Sequence, residues 1–128
     1  MKHLIIIALL AAAPFAARAQ QASEEETRLL NEIAQCLAVG LPPDWRQAEM
    51  LVELKSPEAE TGEVRYLVMR NLSGGQYETF APCNERQPAR DLVVEMRKLQ
   101  PAEKRGWKGA RLVVYRNGKF DLTLDYSK

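Results

Sequence analysis

Few side chains in this sequence could do chemistry, and their types limit what that chemistry could be. There is one histidine, His3, and there are two cysteines, Cys36 and Cys83. Ser56, Ser73 and Ser127 fall in expected turns or at the end of the sequence. A serine nucleophile needs a histidine or lysine base held against it, and none of these serines stands in a nucleophile-elbow context. A zinc centre needs histidines, thiolates or clustered carboxylates at ligand spacing, which the sequence does not offer. No Gly-x-Gly-x-x-Gly or Walker loop occurs, and Ser73-Gly74-Gly75 reads as a turn. Asp121 and Asp125 lie four apart on an expected strand, about 13 Å from each other, too far for either mechanism of glycoside hydrolysis. Glu24-Glu25-Glu26 sits where a helix N-terminus favours negative charge, which accounts for it without a metal. The expectation is a protein that is not an enzyme, holds no cofactor and no metal, and acts by binding.

The two cysteines point to a compartment. Met1-Lys2-His3 is a short basic start, Leu4 to Phe15 is apolar, and Ala17-Arg18-Ala19 places small residues where a signal peptidase reads. This is the layout of a cleavable secretory leader, too short for a membrane span. Residues 1–19 are therefore expected to be removed, with a single domain over 20–128 working in the periplasm. No lipobox cysteine lies near the cut, so no membrane attachment is expected afterwards. His3 leaves with the leader. So do Lys2 and Arg18, which turns 18 basic residues into 16 against 17 acidic ones, a net charge of −1. Overall charge this close to neutral does not steer a domain to nucleic acid. Two thiols in an oxidising compartment pair, so a Cys36–Cys83 disulfide is expected. It would close a loop of roughly 48 residues and contribute about 4 kcal/mol by chain entropy. No Cys-x-x-Cys spacing supports a redox role.

The elements that must position these groups follow from periodicity. Ser23 with Glu26 three residues on forms a capping box, and Leu30, Ile33 and Leu37 recur at helical spacing. Gly40 suits the position after a helix end, and Pro42-Pro43 bars continuation. A first helix is expected from about Glu24 to Val39. From Trp45 the period becomes two, with Ala48, Met50, Val52 and Leu54 on one face. Val64 to Arg70 and Gln76 to Ala81 are expected as a second and a third strand, joined by short turns into an antiparallel meander. Pro88 can open a second helix over roughly Ala89 to Leu99, with Leu92, Met96 and Leu99 as its stripe. Ala110 to Arg116 and Lys119 to Tyr126 are expected as a hairpin around Asn117-Gly118, a turn in which both central residues reach positive φ.

The expected fold is α+β: an antiparallel five-stranded sheet with two helices packed on one face, in the order helix, three strands, helix, two strands. The other face would carry Glu49, Leu51, Arg65, Leu67, Met69, Arg111 and Tyr115, with Glu53 and Val113 beside them. Large apolar residues among charges of both signs are the composition of an interface core with a polar ring. These are the candidate partner-binding residues.

The stretch from Arg105-Gly106-Trp107-Lys108-Gly109 through Asn117-Gly118-Lys119-Phe120 to Asp125-Tyr126 resembles the ending of the YezG-like immunity protein family. In that family a glycine-rich turn with a tryptophan leads into a strand, a turn ending in Gly-Lys-Phe, and a closing strand ending in Asp-Tyr. Earlier parts fit in element order, including Trp45 before the first strand. The resemblance implies a small protein that binds and neutralises a cognate toxin, with the aromatic and glycine positions structural. Members of the family in the cytoplasm lack a leader, and this sequence departs from them in address. With the leader, the expectation is a periplasmic immunity protein whose toxin degrades peptidoglycan, lipid or protein and arrives by a contact-dependent route such as type VI secretion. The alternative is a periplasmic accessory or envelope-assembly module with an endogenous partner. The sequence sets no oligomeric state.

Overall fold

A computed structural model describes the backbone of residues 3–8 and residues 23–71 and 74–126. The expected cleavage site at Ala17-Arg18-Ala19, Ser73 and Ser127 lie outside the described residues. The elements are β1 (His3–Ala8), α1 (Glu24–Ala38), β2 (Trp45–Glu53), β3 (Glu63–Arg70), β4 (Tyr77–Thr79), a helix α2 over residues 87–99, β5 (Gly109–Tyr115) and β6 (Phe120–Asp125).

The strands form one antiparallel sheet in the order β1-β6-β5-β2-β3-β4. Five of them are those expected from alternation, and the fold is α+β with both helices over one face. β2, β3 and β4 form the meander, and β2 pairs with β5 at the centre of the sheet. The sixth strand is a difference from expectation. His3–Ala8, inside the segment read as a leader, pairs with β6 along the sheet edge. An apolar, β-branched run has strand propensity of its own, and β6 would otherwise present an open edge.

Helix α1 begins as its sequence requires. The Ser23 hydroxyl accepts from the Glu26 N–H (3.1 Å), and the Glu26 carboxylate accepts from the Ser23 N–H (3.2 Å). Leu30, Ile33 and Leu37 are fully buried. At the other end Gly40 has another use than the expected left-handed turn. It has no positive φ; a Cβ there would lie 1.6 Å from the Ala81 carbonyl oxygen. The glycine is needed for close approach of two backbones.

Helix α2 starts at Gln87, with Pro88 in its first turn, and widens into a π-helical stretch over Asp91–Met96 before ending in Arg97–Leu99. Leu92, Val93 and Met96 face the core, and Leu99 packs at its margin. Between the helix stripes and the sheet lie Met50, Val52, Leu112, Leu122 and Leu124. Burying a side chain of this size is worth about 1.5–3 kcal/mol, so this layer supplies most of what orders the domain.

Cys36 and Cys83 form a disulfide, which ties α1 to the loop that starts α2. Next to it the Cys83 N–H donates to the Cys36 carbonyl (2.9 Å). Both helices must lie on the same side of the sheet for this bond to close, and they do.

The β5–β6 hairpin differs from the expected two-residue turn. The Gly118 N–H donates to the Tyr115 carbonyl (2.9 Å) and the Tyr115 N–H to the Lys119 carbonyl (2.9 Å), so three residues, 116–118, form the loop. Only Gly118 has positive φ, at 89°. A type I turn followed by one left-handed glycine satisfies the strand twist without forcing Asn117 out of its favoured region. The strands accordingly end at Tyr115 and restart at Phe120.

Trp107, in the loop before β5, is fully buried. Its indole N–H donates to the Gln100 side-chain oxygen (2.9 Å), and the Arg97 guanidinium lies 4.3 Å from the ring centroid. Arg97 also donates to the carbonyls of Trp107 (2.7 Å) and Ala59 (3.0 Å). One arginine thus joins the end of α2, the loop before β5 and the connection between β2 and β3.

Candidate functional site

The face of the sheet away from the helices is the candidate site. Register places its residues in rows across the strands, because directly opposed residues share a face. One row holds Tyr77, Met69, Gln47 and Tyr115; the next holds Thr79, Leu67, Glu49, Val113 and Asp121. Then come Arg65, Leu51, Arg111 and Thr123, and last Glu63, Glu53, Gly109 and Asp125. All seven residues singled out from sequence lie on this one face. It has an aromatic and apolar end, a row with two arginines flanking Leu51, and an acidic end where Glu53 and Glu63 are directly opposed.

The structure separates the seven by exposure. Arg65 and Arg111 are exposed, and Leu51, Leu67, Met69 and Tyr115 are half-buried. Glu49 is 4% exposed. It lies beneath its neighbours and accepts a hydrogen bond from Arg111 Nε (2.5 Å). Glu49 therefore positions Arg111 and does not itself present a contact. Taking that arginine away would leave a buried carboxylate without its ion pair, which is costly. Val113, opposite Glu49, is also buried although no helix among the described residues covers this face.

Three residues that were not singled out as site residues complete the arrangement. The Gln47 amide donates to the Tyr77 hydroxyl (2.6 Å), and the Tyr115 hydroxyl donates to Asp121 Oδ2 (2.8 Å). Burial, and then the hydrogen bond and charge of Glu49, push the Tyr77 phenol up from its ordinary value. The hydrogen bond to Asp121, followed by burial, does the same for Tyr115. The hydrogen bond to Glu49 raises Arg111, with burial opposing. Gln47 and Asp121 fall on the open face by alternation alone. Tyr77 could be placed only once the register of β4 against β3 was known, with Tyr77 opposite Met69.

These hydrogen bonds hold long side chains in place before any partner arrives, which lowers the cost of ordering them on binding. Between the arginine row and the acidic row lies a shallow depression of ≈ 350 Å³, lined in part by Leu51, Glu63, Arg65, Arg111 and Thr123. The face offers charge and shape. No group of three or more metal-ligating side chains occurs among the described residues. Likewise, among the described residues no helix is long and apolar enough to cross a membrane.

Compared with known proteins, the sequence matches no family model and no curated protein.

Proposed function

We propose that this is an immunity protein of the periplasm. A leader at residues 1–19 directs it there and is removed, and the domain then binds a cognate antibacterial toxin through the open sheet face and neutralises it by occlusion. The observation that carries the reading is the build of that face. Leu51, Leu67 and Met69 stay partly exposed among Arg65, Arg111, Tyr77 and Tyr115, and hydrogen bonds hold three of those four polar groups in place. Aromatic, methionine and arginine residues are those enriched in interface cores. The Cys36–Cys83 bond suits a protein that works in an oxidising compartment. The likeness of residues 105–126 to the endings of YezG-like immunity proteins supports the same class. A toxin met in the periplasm is one that degrades peptidoglycan, lipid or protein there, delivered by a system such as type VI secretion.

The test is protection by stoichiometric binding. The cognate toxin should form a stable one-to-one complex with the protein, lose its toxicity in that complex and regain it when released. Protection at substoichiometric amounts, or covalent change in the effector, would overturn the reading.

A further inference from the structure

The two edges of the sheet are unequal. At one edge β4 is three residues long and wholly exposed, and a strand that short is protected from pairing by its length. At the other, β6 is six residues long, pairs with β5 without a bulge, and contains no proline or glycine. In the full chain His3–Ala8 covers this edge, antiparallel and in register with all six residues.

Antiparallel alternation fixes which groups that strand occupies. The Tyr115 N–H donates to the Lys119 carbonyl. The backbone groups of Lys119, Asp121, Thr123 and Asp125 therefore turn to β5, and those of Phe120, Leu122 and Leu124 turn outward. Removing residues 3–8 leaves these three N–H and three carbonyl groups unpaired. They flank apolar side chains that are buried while the strand is present.

β6 is complementary to itself at this edge. With a two-fold axis through Leu122, Leu122 opposes its own copy, Phe120 opposes Leu124, Asp121 opposes Thr123, and Lys119 opposes Asp125. Every outward backbone group then meets an outward group. Apolar residues meet on the helix side, and opposite charges meet on the open side. An axis through Asp121 would set Asp121 against its own copy, and one through Thr123 would set Asp121 against Asp125, like charges directly opposed in both cases; one through Phe120 or Leu124 would shorten the overlap.

We propose that the exported protein is a dimer in which β6 of each copy pairs antiparallel with β6 of the other. The two five-stranded sheets become one, with both open faces on the same side, so a pair of toxin-binding surfaces lies side by side. This rests on removal of the leader, part of the functional reading above, and not on the identity of the toxin.

The experiment uses the protein purified from the envelope fraction of cells expressing the full chain. N-terminal sequencing establishes whether residues 3–8 are gone, and sedimentation equilibrium over a range of concentrations gives the dimer constant. Lys119→Asp and Asp125→Lys, each alone, should weaken the dimer roughly tenfold or more, because each appears twice at the interface and replaces attraction with repulsion. The double variant should restore it. Amide exchange at Phe120, Leu122 and Leu124 should be slow in the dimer. A processed chain that stays monomeric at every concentration overturns the dimer and leaves the immunity reading standing. So does a dimer indifferent to the charge exchanges. Protection of the three amides only on adding the effector would assign the edge to the toxin instead and overturn the proposal. A chain that keeps its N-terminus overturns both the dimer and the removal of the leader.

Discussion

Removing the Cys36–Cys83 bond should cost the domain a large share of its stability while leaving its native structure in place. The bond spans a sequence separation of 47 residues and encloses β2, β3 and β4. Constraining a loop of that length in the unfolded chain contributes about 4 kcal/mol. For a domain of this size 1 kcal/mol moves the melting temperature by about 4 °C or more, so the loss amounts to roughly 15 °C or more. The native side of the balance should change little. The Cys83 N–H still bonds the Cys36 carbonyl, and Gly40 still packs against Ala81. The double variant Cys36→Ala/Cys83→Ala suits the test, because Cys36 is buried and alanine adds no polar group there. Urea and thermal unfolding of the oxidised protein and the double variant give the difference, and far-ultraviolet circular dichroism checks that both are folded. Thiol titration of denatured, unreduced envelope material should find no free thiol. A stability loss under about 1 kcal/mol would refute the chain-entropy reasoning, and two free thiols would refute the bond.

Three further outcomes follow from the packing. Gly40→Ala should destabilise by about 2 kcal/mol or more, since its Cβ would meet the Ala81 carbonyl at 1.6 Å, whereas Gly106→Ala, with nothing within 4 Å, should be near neutral; paired melting curves compare them. Trp107→Phe should cost about 3 kcal/mol in urea unfolding, because it strands the buried Gln100 side-chain oxygen and leaves a gap beside Arg97. The phenols give a pH signature. Burial, and secondarily Glu85, push Tyr66 from 10.0 up to about 12, and Tyr77, Tyr115 and Tyr126 are raised as well. A folded pKa above the unfolded value favours the neutral phenol in the native state. That stability is fully present below pH 10.0 and is lost as pH rises through about 12. Ultraviolet titration of the native protein should show ionisation delayed beyond that of the denatured protein, and Tyr66→Phe should soften the alkaline loss of stability.

Much of the fold was legible because its signals are local. The capping box at Ser23, the alternation from Ala48 to Leu54 and the apolar stripes of both helices each reside within a dozen residues, and each appears where its pattern puts it. The open face was legible for the same reason, since alternate residues of a strand with one buried face have to point the other way. What escaped was non-local. Nothing in β2 announces that β5 is its other neighbour, and only that pairing sets Arg111 over Glu49 and buries the carboxylate. The requirement for glycine at 40 comes from Ala81, far along the chain. The buried system of Arg97, Gln100 and Trp107 joins segments whose polar residues look like ordinary surface in sequence. The hairpin loop was misjudged for a different reason. Asn-Gly suits a two-residue turn, but glycine alone at the third loop position satisfies the same strands.

The measurement that tests the central claim most directly is the affinity of the effector for Tyr115→Ala and Arg65→Glu, with melting temperatures taken alongside. Both side chains sit on the open face, two rows apart and on different strands, so a partner lying across the middle of that face must touch both. Truncating a central anchor costs on the order of 2 kcal/mol, or about thirtyfold in dissociation constant. The account predicts a loss of that size in each variant with the fold intact. Unchanged affinity in both folded variants would contradict it and move the interface to the loops around Gly74-Gly75 or Asn117-Gly118.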